Sequence, residues 1–248
     1  MRSILITGCN RGLGLGLVRH LLESPRPPEN VFATCRDASN ATELRALADK
    51  SSNLQIIEID LTDTDSYERI VDTVSKRVNG AGLNVLFNNA GISSKFTRLG
   101  LVKKQQITDA FLVNTVTPIM LTKAFLPLLK TAAKSSEDKT GLSVRRAAVI
   151  NMTSVLGSIA ENSDGGFYPY RCSKAALNAA TKSMSVDLRA DGILVACLHP
   201  GWVRTDLGGS NAPMDVDTSV RCILNTLNSL TEKETGCFVQ YDGKILPW

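Results

Sequence analysis

Residues 4–14 read ILITGCNRGLG, and this stretch decides the fold. The apolar run at its start predicts a short buried strand, which is followed by glycines in the spacing Gly8-x-x-x-Gly12-x-Gly14. Glycines here let the chain turn sharply and let a pyrophosphate approach the backbone. The helical spacing that follows would aim its first amide groups at the same anion. Because the loop stands between a strand and a helix, it predicts a dinucleotide-binding site rather than a plain turn.

The rest of the chain alternates short apolar runs with longer helical stretches. The apolar runs predict six further strands, near residues 31–34, 54–59, 85–87, 147–151, 193–197 and 237–239. Helical spacing predicts helices over residues 12–22, 41–48, 66–78, 108–133, 174–188 and 216–227. We interpret the polar stretch 134–143 as a surface loop or a frayed helix end. We therefore expect one α/β domain over residues 1–248, a Rossmann-type, doubly wound parallel sheet of about seven strands with helices on both faces.

The composition of the chain limits the classes of partner that we expect it to bind. The 248 residues are 43% hydrophobic and 21% charged, and 28 basic against 24 acidic residues give a net charge of +4. This mild charge, without a long basic run, indicates no nucleic-acid partner. We find no segment with the length of a transmembrane helix, and Met1–Gly8 is too short in its apolar part for a signal peptide. We expect a cytoplasmic protein with no membrane association.

The cysteines and histidines indicate no metal site. The six cysteines are widely scattered with no C-x-x-C pair, and His20 and His199 are far apart. A zinc or haem site needs closer ligand spacing, so none is expected. We predict reduced thiols that serve mainly in packing.

Charged residues at the end of the second predicted strand bear on the choice of cofactor. An NAD site usually has an acidic side chain there, which binds the ribose 2′-hydroxyl. Here the uncharged Cys35 is followed by Arg36, and Arg11 stands in the glycine loop. Two guanidinium groups could clamp a 2′-phosphate through forked hydrogen bonds, which favours NADP(H). Asp37 leaves the alternative open: NAD would be favoured if its carboxylate filled the acidic position, and Arg36 and Asp37 could both be ordinary loop charges.

Tyr170 and Lys174 form the most specific catalytic pattern. Four residues apart on a helix, they share one face. A neighbouring ammonium stabilises a phenolate and lowers the pKa of the phenol, so Tyr170 is predicted to donate a proton near neutral pH. Tyr168 lies off this face and is the weaker candidate. Because such pairs are also common on solvated helices, the assignment depends on the motifs around it.

Those motifs occur in a recognisable order. The glycine loop, Asn88-Asn89-Ala90-Gly91, a serine after the fifth strand, the Tyr170/Lys174 pair and Pro200-Gly201 together resemble the short-chain dehydrogenase/reductase family over essentially the whole chain. Within it, the chain most resembles the sniffer-type carbonyl reductases of insects. The stretches that carry this closer resemblance are residues 4–14, 164–166, 199–203 and 241–243.

The resemblance implies a role for each matching position. Tyr170 would protonate the carbonyl oxygen while the cofactor's hydride reaches the carbon, and Lys174 would hold the nicotinamide ribose and tune Tyr170. Ser154 would hydrogen-bond the substrate oxygen, and Asn114 would position a water that links Lys174 to solvent. Further residues implied to bind NADP(H), beside Tyr170 and Lys174, are Gly8, Asn10, Arg11, Gly12, Leu13, Gly14, Arg36, Asp60, Leu61, Asn89, Gly91, Pro200, Gly201, Val203 and Thr205.

Several of these implied contacts are more specific. Residues 60–61, after the third strand, would frame the adenine, and Asn89 and Gly91 would line the cofactor channel. Val203 and Thr205 would contact the nicotinamide amide. The resemblance also implies that a homodimer is possible, since the helices near 108–133 and 174–188 are common pairing surfaces in similar proteins. The sequence leaves the oligomeric state open.

The segment 204–217 is polar and glycine-rich, and we predict that it forms a mobile lid over the substrate. Its shortness indicates an accessible pocket and a broad class of carbonyl substrates (aldehydes, ketones and quinones). The predicted function is NADPH-dependent reduction of these small molecules. Two alternatives are an NAD-dependent alcohol or steroid dehydrogenase and a non-catalytic nucleotide-sensing protein. The second need not retain its proton-transfer group, so the intact Tyr170 and Lys174 argue against it.

Overall fold

The structure is a computed structural model that describes residues 1–94, 96–137 and 141–248. Within them the chain forms one sheet of eight strands, which are β1 (Ser3–Ile6), β2 (Asn30–Cys35), β3 (Leu54–Glu58), β4 (Val85–Asn88), β5 (Ala148–Met152), β6 (Leu194–His199), β7 (Phe238–Gln240) and β8 (Ile245–Leu246). Their order across the sheet is β3-β2-β1-β4-β5-β6-β7-β8. The expected doubly wound α/β fold is therefore confirmed, with one strand more than expected.

The extra strand is short and antiparallel. β1 to β7 pair in parallel, whereas β8 folds back on β7 with Phe238 opposite Leu246. A strand of two residues is too short to give the alternation that marks a strand in a sequence. The strand order reverses between β1 and β4, so a crevice opens there at the carboxyl ends of the strands.

Seven α-helices lie in the described residues: α1 (Gly12–Leu22), α2 (Thr42–Lys50), α3 (Tyr67–Val78), α4 (Lys104–Phe111), α5 (Thr117–Ser135), α6 (Tyr168–Asp187) and α7 (Val216–Ser229). α1 and α7 pack on one face of the sheet, and α3 and α5 pack on the other. Residues 138–140, in the polar stretch after α5, lie outside the described residues.

α6 begins six residues earlier than its apolar spacing predicts. Pro169 occupies its first turn, and Phe167 precedes it in the left-handed conformation, with φ of 47°. Proline suits the first turn of a helix, because its fixed φ is a helical one and because it has no amide hydrogen to leave unpaired. This early start places Tyr170 on the helix with Lys174.

The expectation about transmembrane length is wrong. The helical stretch Lys104–Ser135 has 32 residues and a mean hydropathy of 1.4 in its most apolar window, which meets the length and composition of a membrane span. A π-helical turn at Leu112–Val116 joins α4 and α5 into one continuous helical stretch. This stretch is longer at both ends than the helix over residues 108–133 that the sequence spacing predicts. Within this stretch Leu121, Phe125 and Leu129 are fully buried and pack in the core cluster on one face of the sheet.

All six cysteines are free thiols. Cys9, Cys35 and Cys197 are buried, and burial raises the pKa of each thiol, that of Cys197 to about 12. They pack as neutral apolar groups, as expected. Among the described residues no group of three or more His, Cys, Asp or Glu side chains could hold a metal ion.

His199 makes folding sensitive to acid. It is buried at the end of β6, and no partner of its Nδ1 lies among the described residues. Burial lowers the pKa of His199 from 6.5 to about 4, although Asp242 acts in the opposite direction. Between these values the unfolded chain binds the proton and the folded chain does not, so stability falls as the pH falls.

We therefore expect the free energy of unfolding to drop by up to about 3 kcal/mol between pH 6.5 and pH 4 through this group. Urea titrations at several pH values measure the drop. In His199→Gln this part of the pH dependence disappears, while His20→Gln, a matched change at a partly exposed histidine, keeps it. Equal slopes for His199→Gln and the unmodified protein would contradict the assignment.

Candidate active site

The strand ends bring most predicted site residues to one edge of the sheet. Gly8 follows β1, residues 89–91 follow β4, Ser154 follows β5 and Pro200 follows β6, and these four strands are neighbours. Side chains that are far apart in sequence therefore meet in one crevice.

The glycine loop is held by the side chains of Asn89, for which the sequence implied a different role, and of Thr7, for which it implied none. The Asn89 amide donates to the carbonyls of Thr7 and Gly8, at 2.8 and 3.2 Å. The Thr7 hydroxyl accepts from the backbone amides of Asn89 and Ala90, at 2.9 Å each. Asn89 thus shapes the loop with its side chain, whereas we expected it to line the cofactor channel.

Two glycines of the loop are required by close contacts. Gly8 has φ of 70°, and a Cβ there would lie 3.1 Å from Ala90. At Gly14 a Cβ would lie 2.2 Å from the carbonyl oxygen of Gly8 and 2.7 Å from Nδ2 of Asn89. The start of α1 therefore touches the backbone of the loop directly.

The N-terminus of α1 suits a phosphate group. Arg11 is its N-cap, and no side-chain cap from the described residues satisfies its first amides. Its first turn also carries no acidic residue. Free amides and the positive end of the helix dipole attract an anion, so the loop fits the pyrophosphate of a dinucleotide. Asn10 is exposed beside it, while Leu13 packs against the core and could offer only its backbone amide.

The charged side chains near the end of β2 and in the glycine loop suit the binding of an anion better than the binding of a ribose hydroxyl. Arg36 is exposed. The Asp37 carboxylate accepts from Ser39 Oγ at 2.6 Å and from the amide of Asn40 at 3.1 Å, and these bonds lower its pKa. Asp37 thus closes its own turn. Arg11 pairs with Asp206 at 3.0 Å, but both side chains are about 70% exposed, so this ion pair is weak and open to competition by a phosphate.

Residues 60–61 lie beside this region after β3. The Asp60 carboxylate accepts from the amide and hydroxyl of Thr62, at 2.9 and 2.8 Å. These bonds lower the pKa of Asp60, with a smaller contribution from Arg36. The carbonyl of Leu61 accepts from the hydroxyls of Tyr67 and Thr117, which fixes the backbone here.

Tyr170 and Lys174 lie on one buried face of α6. Tyr170 is 7% exposed and Lys174 3%, and Nζ of Lys174 lies 5.8 Å from the centroid of the Tyr170 ring. Nζ donates to the carbonyl of Met152 at 2.7 Å, a bond with no sequence signal because it uses the backbone of β5. Tyr168 is only half-buried at the start of the helix.

The predicted lowering of the Tyr170 pKa by Lys174 is wrong for this arrangement. Burial raises the pKa of Tyr170 to about 12, and the neighbouring Ser154 side chain opposes this only in part. Burial also lowers the pKa of Lys174 to about 8. Removal from water disfavours both charged forms. Tyr170 therefore stays protonated across the neutral range.

Of the three hydroxyl side chains in its segment, Ser154 is the one that lies beside Tyr170. Its Oγ accepts from the amide of Leu156 at 3.2 Å, and its proximity to Tyr170 opposes the rise in the pKa of that phenol. The neighbouring hydroxyls are engaged elsewhere, since Thr153 donates to Asn178 at 2.6 Å and Ser158 donates to the carbonyl of Pro247 at 2.8 Å. This geometry favours Ser154 over both.

Asn114 lies in the π-helical turn and is fully buried. Its amide accepts from and donates to the backbone of Ile92, at 2.9 and 2.8 Å, and donates to Ser173 Oγ at 3.0 Å. Ser173, which the sequence analysis did not single out, thereby ties Asn114 to α6. A Cβ at Gly91 would lie 3.1 Å from Oδ1 of Asn114 and 3.5 Å from Nζ of Lys174, so the bare glycine leaves space where these two atoms converge.

The segment after β6 covers the glycine loop. Gly201 has φ of 86° and lies against the ring of Tyr241. Val203 is buried and bridges to Met214, and the methyl group of Thr205 lies over Gly12. The carbonyl of Pro200 accepts from Ser219 at 2.7 Å.

Comparisons with known proteins agree with this geometry. A family model for the short chain dehydrogenases matches residues 2–215. The structure of the carbonyl reductase Sniffer of D. melanogaster is 56% identical with a TM-score of 0.98 and full coverage of both chains. An NADPH-bound carbonyl reductase from chicken fatty liver is 43% identical with a TM-score of 0.94, covering 100% of this chain and 99% of that one.

One similar protein is named as a signal and not as a carbonyl reductase. The C-signal of Myxococcus xanthus is 42% identical over 166 residues, which are 67% of this chain and 93% of that protein.

Proposed function

Since the chain belongs to the short-chain dehydrogenase family, we propose that it is an NADPH-dependent reductase of small carbonyl compounds. The observation that carries the proposal is the buried Tyr170 hydroxyl, which stays protonated beside Ser154 at the edge of the sheet that also holds the glycine loop. A protonated acid at this edge suits reduction, because reduction of a carbonyl ends with a proton on its oxygen.

The chain's own residues supply the acid and its support. When bound, NADPH supplies the hydride that reduces the carbonyl carbon. Ser154 donates a hydrogen bond to the carbonyl oxygen as negative charge develops there, and Tyr170 releases its proton to that oxygen. Lys174 is held by Met152 and carries its charge below about pH 8, so it stabilises the phenolate left on Tyr170. Asn114 fixes the backbone of Ile92 and the start of α6 around this pair.

The cofactor assignment rests on the charges around the loop. NADPH was bound in the chicken carbonyl reductase that resembles this chain. In this chain Arg11 and Arg36 supply positive charge, and Asp37 is occupied by Ser39 and Asn40, which supports NADPH over the NAD-dependent alternative. The phosphate-binding part would use the amides at the start of α1.

We expect Arg36→Ala to raise the dissociation constant of NADPH by about 10- to 100-fold, because a charge-assisted bond to a phosphate contributes about 1.5–3 kcal/mol. The dissociation constant of NADH should change by less than about threefold, since NADH lacks the 2′-phosphate. Fluorescence titration of both cofactors measures the two constants. Arg19→Ala is the matched control, because Arg19 is a partly exposed arginine of α1 that pairs with Glu43 of α2. Equal losses for NADPH and NADH in Arg36→Ala would contradict this assignment.

The range of carbonyl compounds that the protein reduces tests the proposed substrate class. The predicted lid, residues 204–217, is short, and its backbone is tied to itself by Arg204, whose side chain donates to the carbonyls of Ala212 and Pro213. We expect the purified protein to oxidise NADPH with aldehydes, ketones and quinones alike. The panel would include propanal, 4-nitrobenzaldehyde, acetophenone and 1,4-benzoquinone. Turnover of only one member would contradict the broad class.

The non-catalytic alternative keeps one supporting observation, the relative named C-signal. A sensing protein would bind NADPH without consuming it. The Tyr170 variant considered in the Discussion separates the two functions, since a sensor does not need the phenolic proton.

A further inference from the structure

We propose that Phe96 and Phe167 form the surface that holds the ring of aromatic carbonyl substrates, and that the bare Cα of Gly166 sets its position. We call Phe96 and Phe167 the aromatic pair. This inference rests on the proposed carbonyl reductase function and deepens it by assigning residues that determine substrate selectivity.

The aromatic pair comes from two segments that adjoin residues of the candidate site in the sequence. Their ring centroids are 5.1 Å apart with planes at 80°, an edge-to-face contact. Phe96 lies in the loop between β4 and α4, and Phe167 immediately precedes α6. Phe96 is 53% exposed although it is a large apolar side chain. A large apolar ring that stays this exposed, in the loop that follows β4, offers a surface for a flat ligand.

The backbone before α6 is unusual and directs Phe167 to this place. Gly165, Gly166 and Phe167 follow one another in the left-handed region, with φ of 63°, 65° and 47°. Among the described residues the other non-glycine with positive φ is Asn79, the C-cap of α3, where asparagine is well tolerated. A phenylalanine in this conformation is costly, and such strain persists where surrounding contacts enforce it, often at functional sites.

Gly166 provides the seat for Phe96. A Cβ at Gly166 would lie 2.3 Å from Cε2 and 2.8 Å from Cζ of the Phe96 ring. The ring therefore packs directly on the glycine Cα, and any side chain at this position would displace it. At Gly165 the same added Cβ meets nothing within 4 Å.

Arg171 anchors the strained turn to the catalytic segments. Its guanidinium is nearly buried, with Arg171 8% exposed, and donates to the carbonyls of Gly165 and Leu156, at 3.2 and 3.4 Å. Its backbone amide donates to the carbonyl of Phe167 at 2.8 Å. Leu156 follows Ser154, so one side chain joins the turn, the helix of Tyr170 and the segment of Ser154.

This anchoring defines the ligand class. Phe167 precedes Tyr170 by three residues, close to one helical turn of about 5.4 Å. A carbonyl oxygen at Tyr170 and Ser154 would therefore leave a directly attached ring within reach of the aromatic pair. Aryl aldehydes and aryl ketones fit this spacing, whereas a short aliphatic aldehyde does not reach the pair.

The test measures selectivity, defined as kcat/KM for 4-nitrobenzaldehyde divided by kcat/KM for propanal, with NADPH. We expect Gly166→Ala to lower this ratio by about 10-fold or more, since the ring contact and its burial are lost. Gly165→Ala carries the same backbone strain into open space and should change the ratio by less than about twofold. Phe96→Ala should lower the ratio as Gly166→Ala does. Combining the two should add nothing further, because both remove the same contact.

An unchanged ratio in Gly166→Ala and Phe96→Ala, with propanal still reduced, would overturn the aromatic pair and leave the proposed function intact. An equal fall for Gly165→Ala and Gly166→Ala would also overturn it, because backbone strain would then explain the loss. Failure of the unmodified protein to reduce either aldehyde would overturn both proposals together.

Discussion

Tyr170→Phe should lower kcat for aldehyde reduction by about 10²–10⁴-fold, the contribution typical of a positioned general acid. The change removes one oxygen from a buried ring and leaves the packing of α6 in place. Burial raises the pKa of Tyr170 to about 12, so the hydroxyl holds its proton throughout the neutral range and is available to the carbonyl oxygen. Initial rates with NADPH and 4-nitrobenzaldehyde measure the loss.

The control for this change is Tyr168→Phe, which removes the same atom from a half-buried tyrosine two residues away. We expect its kcat to stay within about twofold of the unmodified protein. NADPH binding should persist in Tyr170→Phe, since the glycine loop and the arginines are untouched. A Tyr170→Phe protein with normal turnover would exclude Tyr170 as the acid.

Gly14→Ala should weaken NADPH binding by at least about 100-fold, because the loop that presents several amides to the phosphates must move. The added Cβ would lie 2.2 Å from the carbonyl oxygen of Gly8, which is backbone and cannot rotate away. It would also lie 2.7 Å from the Asn89 amide that holds the loop. Overpacking of this kind costs about 1–3 kcal/mol of stability, so the Tm should fall as well.

Helix propensity alone predicts the opposite result for Gly14. Alanine inside a helix is about 1 kcal/mol more favourable than glycine, so a site with room would become more stable. Gly100→Ala is the control, since a Cβ there meets nothing within 4 Å. Thermal unfolding and NADPH titration of both variants measure the difference. A Gly14→Ala protein with raised Tm and unchanged NADPH affinity would contradict the contact.

The sequence alone predicts the frame of the fold well, because local rules govern it. Alternating strands and helices carry their own periodicity, so seven parallel strands and the start of α1 at Gly12 are found where expected. The i, i+4 spacing of Tyr170 and Lys174 likewise puts both on one face without knowledge of any other element. β8 is missed, because a strand of two residues has no period.

The remainder depends on contacts between distant segments. The carbonyl of Met152 that holds Lys174 and the hydroxyl of Ser173 that meets Asn114 have no local signature. The direction of the Tyr170 pKa was also beyond the sequence, since it depends on how deeply the helix is buried. The partner of Phe96 could not be predicted either, because the left-handed turn at residues 165–167 is a property of the folded backbone.

The most direct test of carbonyl reduction follows NADPH absorbance and alcohol product together, using purified protein and 4-nitrobenzaldehyde, with NADH in a parallel reaction. We predict that one 4-nitrobenzyl alcohol forms for each NADPH consumed, with a kcat/KM for NADPH at least about 10-fold that for NADH, in keeping with one lost charge-assisted contact. Consumption of NADH in preference to NADPH would contradict the cofactor assignment. Tight NADPH binding with no alcohol formed from any member of the aldehyde, ketone and quinone panel would contradict the central claim and favour a nucleotide-sensing protein.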